Sequence, residues 1–453
     1  MREKLEKFFK ARPIMAKKYD YPGTFKDFAL ETTRTLSPGS KDGSLMRTAI
    51  LEQVKSLFAG KIGLDALERQ LSDYPFISYA DHHGLLNYEL LYNSNILFSE
   101  MVKVLNLPFA VTFATGNVPL KNISYPRGFY FKERKFNFFK NKQRHIPVSL
   151  IDSGITLDKD KKPESFILNF NKEQLSNEEK KFLEFLFFEC LEIEKVTETY
   201  SLFSDQITLL NYKLWKYYFH REIRGSVPDM IYLQSNQVVL SLLLNEIGKD
   251  DSLVSMILFQ PEVREVFLRN FSGIAGTWGN NMGSCLFWGI TEKKKFIPLQ
   301  MEESSNSLVG QDFNLKLEKE AVAGALKSKR VIPTLFFDFL LITFLEGYVA
   351  LGGFNQVEFL TQMQQAHIES LNTIGMNGLA DKFASRVSDG LVCGMFPFGL
   401  GHGIDLIWRK NSRNGRFNGN LDGGLTQKDL DNMVQMKVRD MIASAVETML
   451  EIV

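Results

Sequence analysis

Apolar positions spaced three and four residues apart predict helices over Leu45 to Phe58 and Leu64 to Leu71, before the pattern tightens into the strand-like run Phe76-Ile77-Ser78-Tyr79. A further helix is expected from about Tyr88 to Val104. The period then changes again. Phe109 to Phe113, Gly128 to Phe131, Pro147 to Ile151 and Phe166 to Phe170 are short β-like runs separated by Gly, Pro and Asn turn signals. This mixture predicts a sheet with helices packed against it.

From Ser176 helical spacing takes over, opened by a capping box of Ser176 and Glu179 before an apolar run. Tyr200 to His220, Ser235 to Ile247 and Pro261 to Phe271 continue it, with Gly225, Pro228 and Gly248 as breaks. Ser284 to Ile290 and Lys295 to Leu299 read as a hairpin turning at Thr291 to Lys294. Val331 to Phe354 approaches the length of a membrane span. Pro333, Asp338, Glu346 and Gly352-Gly353 interrupt it, so a buried helix of a soluble protein is expected. Thr426, with Asp429 three residues on, caps a single last helix. The fold class expected is α+β or mixed α/β. A sheet-containing N-terminal portion, residues 1–170, packs against a larger helix-rich portion, residues 171–453, as two domains or as one.

Composition narrows the function classes. Lys plus Arg number 54 and Asp plus Glu 53, so no global field selects nucleic acid or an anionic membrane. The 38 phenylalanines suit aromatic-rich cores or an apolar pocket. Cys190, Cys285 and Cys393 are scattered and form no C-x-x-C pair, which fits a reducing cytoplasm, and the apolar runs around Cys190 and Cys285 mark those two as buried packing residues rather than nucleophiles. Met1 to Lys10 reads as an amphipathic helix without the apolar core of a secretory signal.

Chemistry is most concentrated at Asp81-His82-His83, which follows the first strand-like run. A carboxylate beside imidazoles can move protons near neutral pH or bind a divalent metal. Strand alternation would put Asp81 and His83 on one side and His82 on the other, so Asp81 and His83 are the candidate metal ligands. His145, His402 and Asp405 are available to complete a site. The triplet resembles the signature of the DHH phosphoesterases, which also follows a strand. The resemblance covers these three residues, and no partner aspartate motif precedes them, so that family's fold and activity are not carried over.

Downstream, Asn93, Asn95 and Asn117 offer oriented donors, Lys121 a point charge, and Arg127 a fork that can clamp a carboxylate or phosphate. The glycine-rich run Gly273 to Gly283 matches neither a P-loop nor a dinucleotide fingerprint and reads as a turn before the hairpin. Gly399 to Asp405 surrounds His402 with glycines, which makes that histidine an acid/base candidate. Asp338 and Glu346 are lone acids in an apolar segment, for which structural polar partners are favoured over an acid/base pair lining an internal pocket. The function expected is an enzyme that acts on a small anionic metabolite by hydrolysis or group transfer, using Asp81, His82, His83 and His402 as catalytic residues. The alternative is a non-enzymatic ligand- or partner-binding protein. Homo-oligomerisation through the Met-rich terminal helix is a further expectation.

Overall fold

Four parallel strands, Phe76–His82, Phe109–Thr115, Asp229–Gln234 and Val349–Leu351, form the central sheet. The structure, a computed structural model, describes residues 2–34, 43–58, 60–118, 128–138, 146–151, 175–274, 284–397 and 401–452. The chain is mixed α/β, as the alternating periods predict. Across the sheet the order is Val349–Leu351, Phe76–His82, Phe109–Thr115, Asp229–Gln234. The first three strands therefore step in one direction, and the last returns to the opposite side of the first. Two strands come from each side of residue 170, so the sheet joins both portions of the chain.

Every residue of Phe109–Thr115 is buried. Its unbroken Phe-Ala-Val-Thr-Phe-Ala-Thr run is what a parallel strand covered on both faces requires. The helix Glu89–Val104 packs on the first two strands, and Ser235–Gly248 packs on the second. All positions from Leu91 to Val102 on the former are buried, including Asn93, Ser94, Asn95 and Ser99. Such polar groups inside a helix need partners, and those of Asn95 turn out to matter.

The sequence pattern is met at both capping boxes, Ser176 with Glu179 and Thr426 with Asp429. The hairpin also forms, pairing Ile290 with Phe296. Three expectations are corrected. Pro147 to Ile151 is no strand: Pro147 accepts from the Leu150 amide at 3.0 Å and begins a 3₁₀ turn, Val148–Leu150. The last helix is two, Gln427–Val434 and Val438–Ile452, because at the break the Met436 carbonyl accepts from Phe25 at 2.8 Å and Lys437 bridges Thr24. Val331 to Phe354 holds two strands, Val331–Pro333 and Val349–Leu351, around the helical turns Leu335–Phe339 and Leu340–Leu345. Phe166 to Phe170 and most of the Gly273 to Gly283 run lie outside the described residues.

One hydrophobic cluster extends from Phe8 to Val446 and takes in residues of both portions. Among the described residues no helix is long and apolar enough to cross a membrane. Cys190, Cys285 and Cys393 are free thiols, the last two buried.

Candidate functional site

In an open parallel sheet, ligands bind outside the carboxyl ends of the strands where the strand order reverses. Here that point lies between Phe76–His82 and Val349–Leu351, and a cavity of about 740 Å³ occupies it. Asp81 and His82 close the first strand and line the cavity. A depression of about 640 Å³ at the opposite ends of the strands holds Lys103 and Lys216, but these pair with Glu100 and Asp229.

The strand does not alternate as expected through the triplet. Ser78 lies opposite Thr112 but Asp81 opposite Ala114, so one extra residue is accommodated between them, a β-bulge. The bulge resets which side chains reach the strand-end cavity, and Asp81 and His82 both line it. His83 lies past the strand's end. Its amide donates to Thr115 at 3.0 Å, and its Nε2 donates to the Ser204 carbonyl at 2.7 Å. A carbonyl only accepts, so Nε2 carries the ring proton. Its ring also packs 5.4 Å from that of Tyr232. Asp81 and His83 thus do not share one cavity wall, and among the described residues no three His, Cys, Asp or Glu side chains group as metal ligands.

Asp81 is 1% exposed. The Asn95 amide donates to its Oδ2 at 2.9 Å, and Asn95 is itself fixed by donating to the Leu91 carbonyl and accepting from the Thr112 hydroxyl at 2.8 Å. The Tyr232 hydroxyl lies nearby but donates to the His82 carbonyl at 3.0 Å, leaving Asp81 Oδ1 without a hydrogen bond among the described residues. Burial raises the Asp81 pKa to about 8, against the smaller lowering effects of Asn95 and Tyr232. Burial lowers that of His82 to about 4. At neutral pH the pair is a carboxylic acid beside an uncharged imidazole.

The remaining wall mixes one cation with aromatic surface. Arg12, the residue before Pro13, sits at the break between the first two helices, and its Nε donates to Asn355 Oδ1 at 3.2 Å. Its guanidinium lies 4.1 Å over the Phe8 ring. Glu358, early in the helix Phe354–Thr373, brings one carboxylate to the same wall, and its Oε1 accepts from the Met15 amide at 2.8 Å. Leu335, Phe339, Phe354 and Phe359 supply apolar surface. Cys393 also lines the cavity, but burial pushes its thiol to about 12, which keeps it from acting as a nucleophile.

Of the other residues singled out in the sequence, Asn117 lines the cavity and donates to the Pro333 carbonyl at 2.8 Å. Asn95 holds Asp81 from behind. Asn93 donates within its own helix to the Glu89 carbonyl. His402 begins the helix Gly403–Lys410, stacks on Tyr130 at 4.6 Å and stands 6.2 Å from the ring of Tyr88, which lines the cavity, so one ring separates it from the space. Asp405 accepts from the Lys132 amide. Asp338 accepts from the Tyr79 hydroxyl at 2.6 Å, and Glu346 from the Met46 amide at 3.0 Å, so these acids have separate structural partners. Lys121, Arg127 and His145 lie outside the described residues. Sequence reading passed over Arg12 and the helix start after Gly352-Gly353. An Arg-Pro pair breaking an amphipathic run and a Gly-Gly pair between a strand and a helix were their signals. Comparison with protein-family models, with curated proteins and with solved structures finds no match.

Proposed function

We propose that this protein is an enzyme that hydrolyses a small anionic metabolite, or transfers a group from it, in the strand-end cavity. The observation that carries this reading is the placement of two adjacent titratable side chains, set in opposite protonation states, on the wall of one cavity. Environments that push neighbouring pKa values past each other assign acid and base roles. His82 takes the proton of the attacking water or acceptor hydroxyl, while Asp81 gives its proton to the departing group. Both return to their starting states by exchange with solvent. Arg12 supplies the positive charge that favours an anionic substrate.

The test is a panel of phosphate and carboxylate esters assayed with the full chain and with Asp81→Asn and His82→Ala variants. Each variant is expected to lose about 10²- to 10⁴-fold in turnover, the usual worth of a positioned acid or base. Tight binding without turnover, insensitive to His82→Ala, would support a non-enzymatic ligand-binding protein instead. Metal analysis of the purified protein, with Asp81→Ala and His83→Ala alongside, tests the version in which those two residues hold a divalent cation. Stoichiometric metal lost from both variants would favour it.

A further inference from the structure

The twenty-residue helix Phe354–Thr373 starts after Gly353, which has no side chain to offer as a cap. Gln356 turns back over Gly352 and donates its side-chain amide to the Ala350 carbonyl at 3.3 Å. The first N–H groups of a helix have no partner within it, and that end carries about half a positive charge. Gly353, Phe354, Asn355 and Gln356 all line the strand-end cavity, with Phe354 and Gln356 buried.

The sheet register fixes what lies beside them. Ser78 is opposite Leu351, the last residue of its strand, and just beyond that pair Asp81 on one strand and Gly353 after the other both line the strand-end cavity. Asp81 Oδ1 is the independent sign of a ligand, a polar atom on a side chain 1% exposed, on the same cavity wall and lacking a hydrogen bond among the described residues. Arg12 is tied to the same helix end through Asn355. Leu335, Phe339 and Phe359 add an apolar wall.

We infer that the first turn of Phe354–Thr373, Arg12 and Asp81 form a subsite for a single oxyanion group, and that Leu335, Phe339 and Phe359 take an apolar body attached to it. The ligand is an amphipathic acid, an aryl or alkyl carboxylate or phosphate monoester. Asp81 contributes as a donor, and its proton removes the repulsion a carboxylate would feel there. This rests on the reading of the cavity as the substrate site and narrows its substrate class.

Gly353→Asp separates this inference from the broader one. A Cβ at Gly353 would meet Cys393 at 3.6 Å, an ordinary contact, and the backbone φ of −102° suits any residue. Aspartate is also a favoured N-cap. Its carboxylate would occupy the helix amides in place of a ligand. Calorimetry on the full chain would use phenyl phosphate and phenylacetate, with neutral phenylacetamide and polar malonate as controls. At least one aryl acid is expected to bind at least tenfold more tightly than either control, and the choice between them separates a phosphate from a carboxylate group. In Gly353→Asp that affinity should fall at least tenfold with an equal or higher melting temperature; Asn355→Asp serves if the first variant does not fold. Unchanged affinity in a folded variant, preference for malonate, or no binding of either aryl acid would overturn the subsite. Turnover of another anion that depends on Asp81 and His82 but not on Gly353 would sink the subsite and leave the enzyme reading standing. Aryl-acid binding lost in Gly353→Asp, with no turnover of any ester, would do the reverse.

Discussion

Moving Asp81 from water to the end of a buried strand penalises its ionised form, and the hydrogen-bonding groups of Asn95 and Tyr232 offset only part of that penalty. The folded chain therefore holds a proton on Asp81 up to about pH 8, whereas an unfolded chain releases it near 3.8. Between those values the native state binds more protons, so its stability falls as pH rises through the window. Asp81→Asn keeps the shape and removes the titration. It is expected to raise stability at pH 8 by an amount on the order of a few kcal/mol, at 1.36 kcal/mol per pKa unit, with little effect at pH 4, while lowering turnover about 10²- to 10⁴-fold. Denaturant melts at the two pH values check this, and a variant less stable at pH 8 would contradict it. Activity should also follow the pair. It falls above about pH 8 as Asp81 loses its proton and below about pH 4 as His82 gains one. In His82→Ala the acid limb should disappear from whatever activity remains.

The cavity depends on how elements end. Gly394 has φ +106°, and a Cβ there would overlap the ring of Phe354, the first residue of the helix that carries the anion subsite. Gly394→Ala should cost roughly 2–4 kcal/mol through backbone strain and displacement of that ring, and should weaken any cavity ligand. Gly378→Ala, whose Cβ meets nothing within 4 Å in the helix Asn377–Ala384, is the control, with a gain of up to about 1 kcal/mol. A thermal melt of each variant decides. The same boundaries explain what could be read from the sequence. Capped helices announced themselves because Ser176 with Glu179, and Thr426 with Asp429, are local chemistry. Asp229–Gln234 was hidden because it runs into Ser235–Gly248 with no turn residue between, and Val349–Leu351 because three residues carry no period. Asp81 and His82 were legible as a pair. Their sharing of a wall was not, since the bulge that brings it about depends on pairing with Phe109–Thr115, a contact between distant segments.

Across the whole molecule, buried histidines are expected to weaken the fold in acid. His367 is fully buried among Phe271, Phe344, Phe336, Phe383 and Phe267, with ring centroids 4.6, 4.9, 5.5, 5.6 and 5.8 Å away, and among the described residues neither ring nitrogen has a hydrogen-bond partner. Burial lowers its pKa to about 3, while the unfolded chain takes up the proton near 6.5. The unfolded state then binds more protons between those values, so stability falls as pH drops through them. His367→Leu should move the acid-unfolding midpoint to lower pH while changing stability at pH 7 by less than about 1.5 kcal/mol. An unchanged acid midpoint by circular dichroism would show that His367 does not set that midpoint. His82 and His83, both lowered to about 4 by burial, add to the same slope. The strand order carries a consequence in time. The last strand enters beside the first, and the cavity needs Arg12, Asp81, Gly353 and Gly394 together. A polypeptide leaving the ribosome therefore exposes Asp81 and His82 long before it can surround a ligand with them, and a half-made chain has nowhere to hold one.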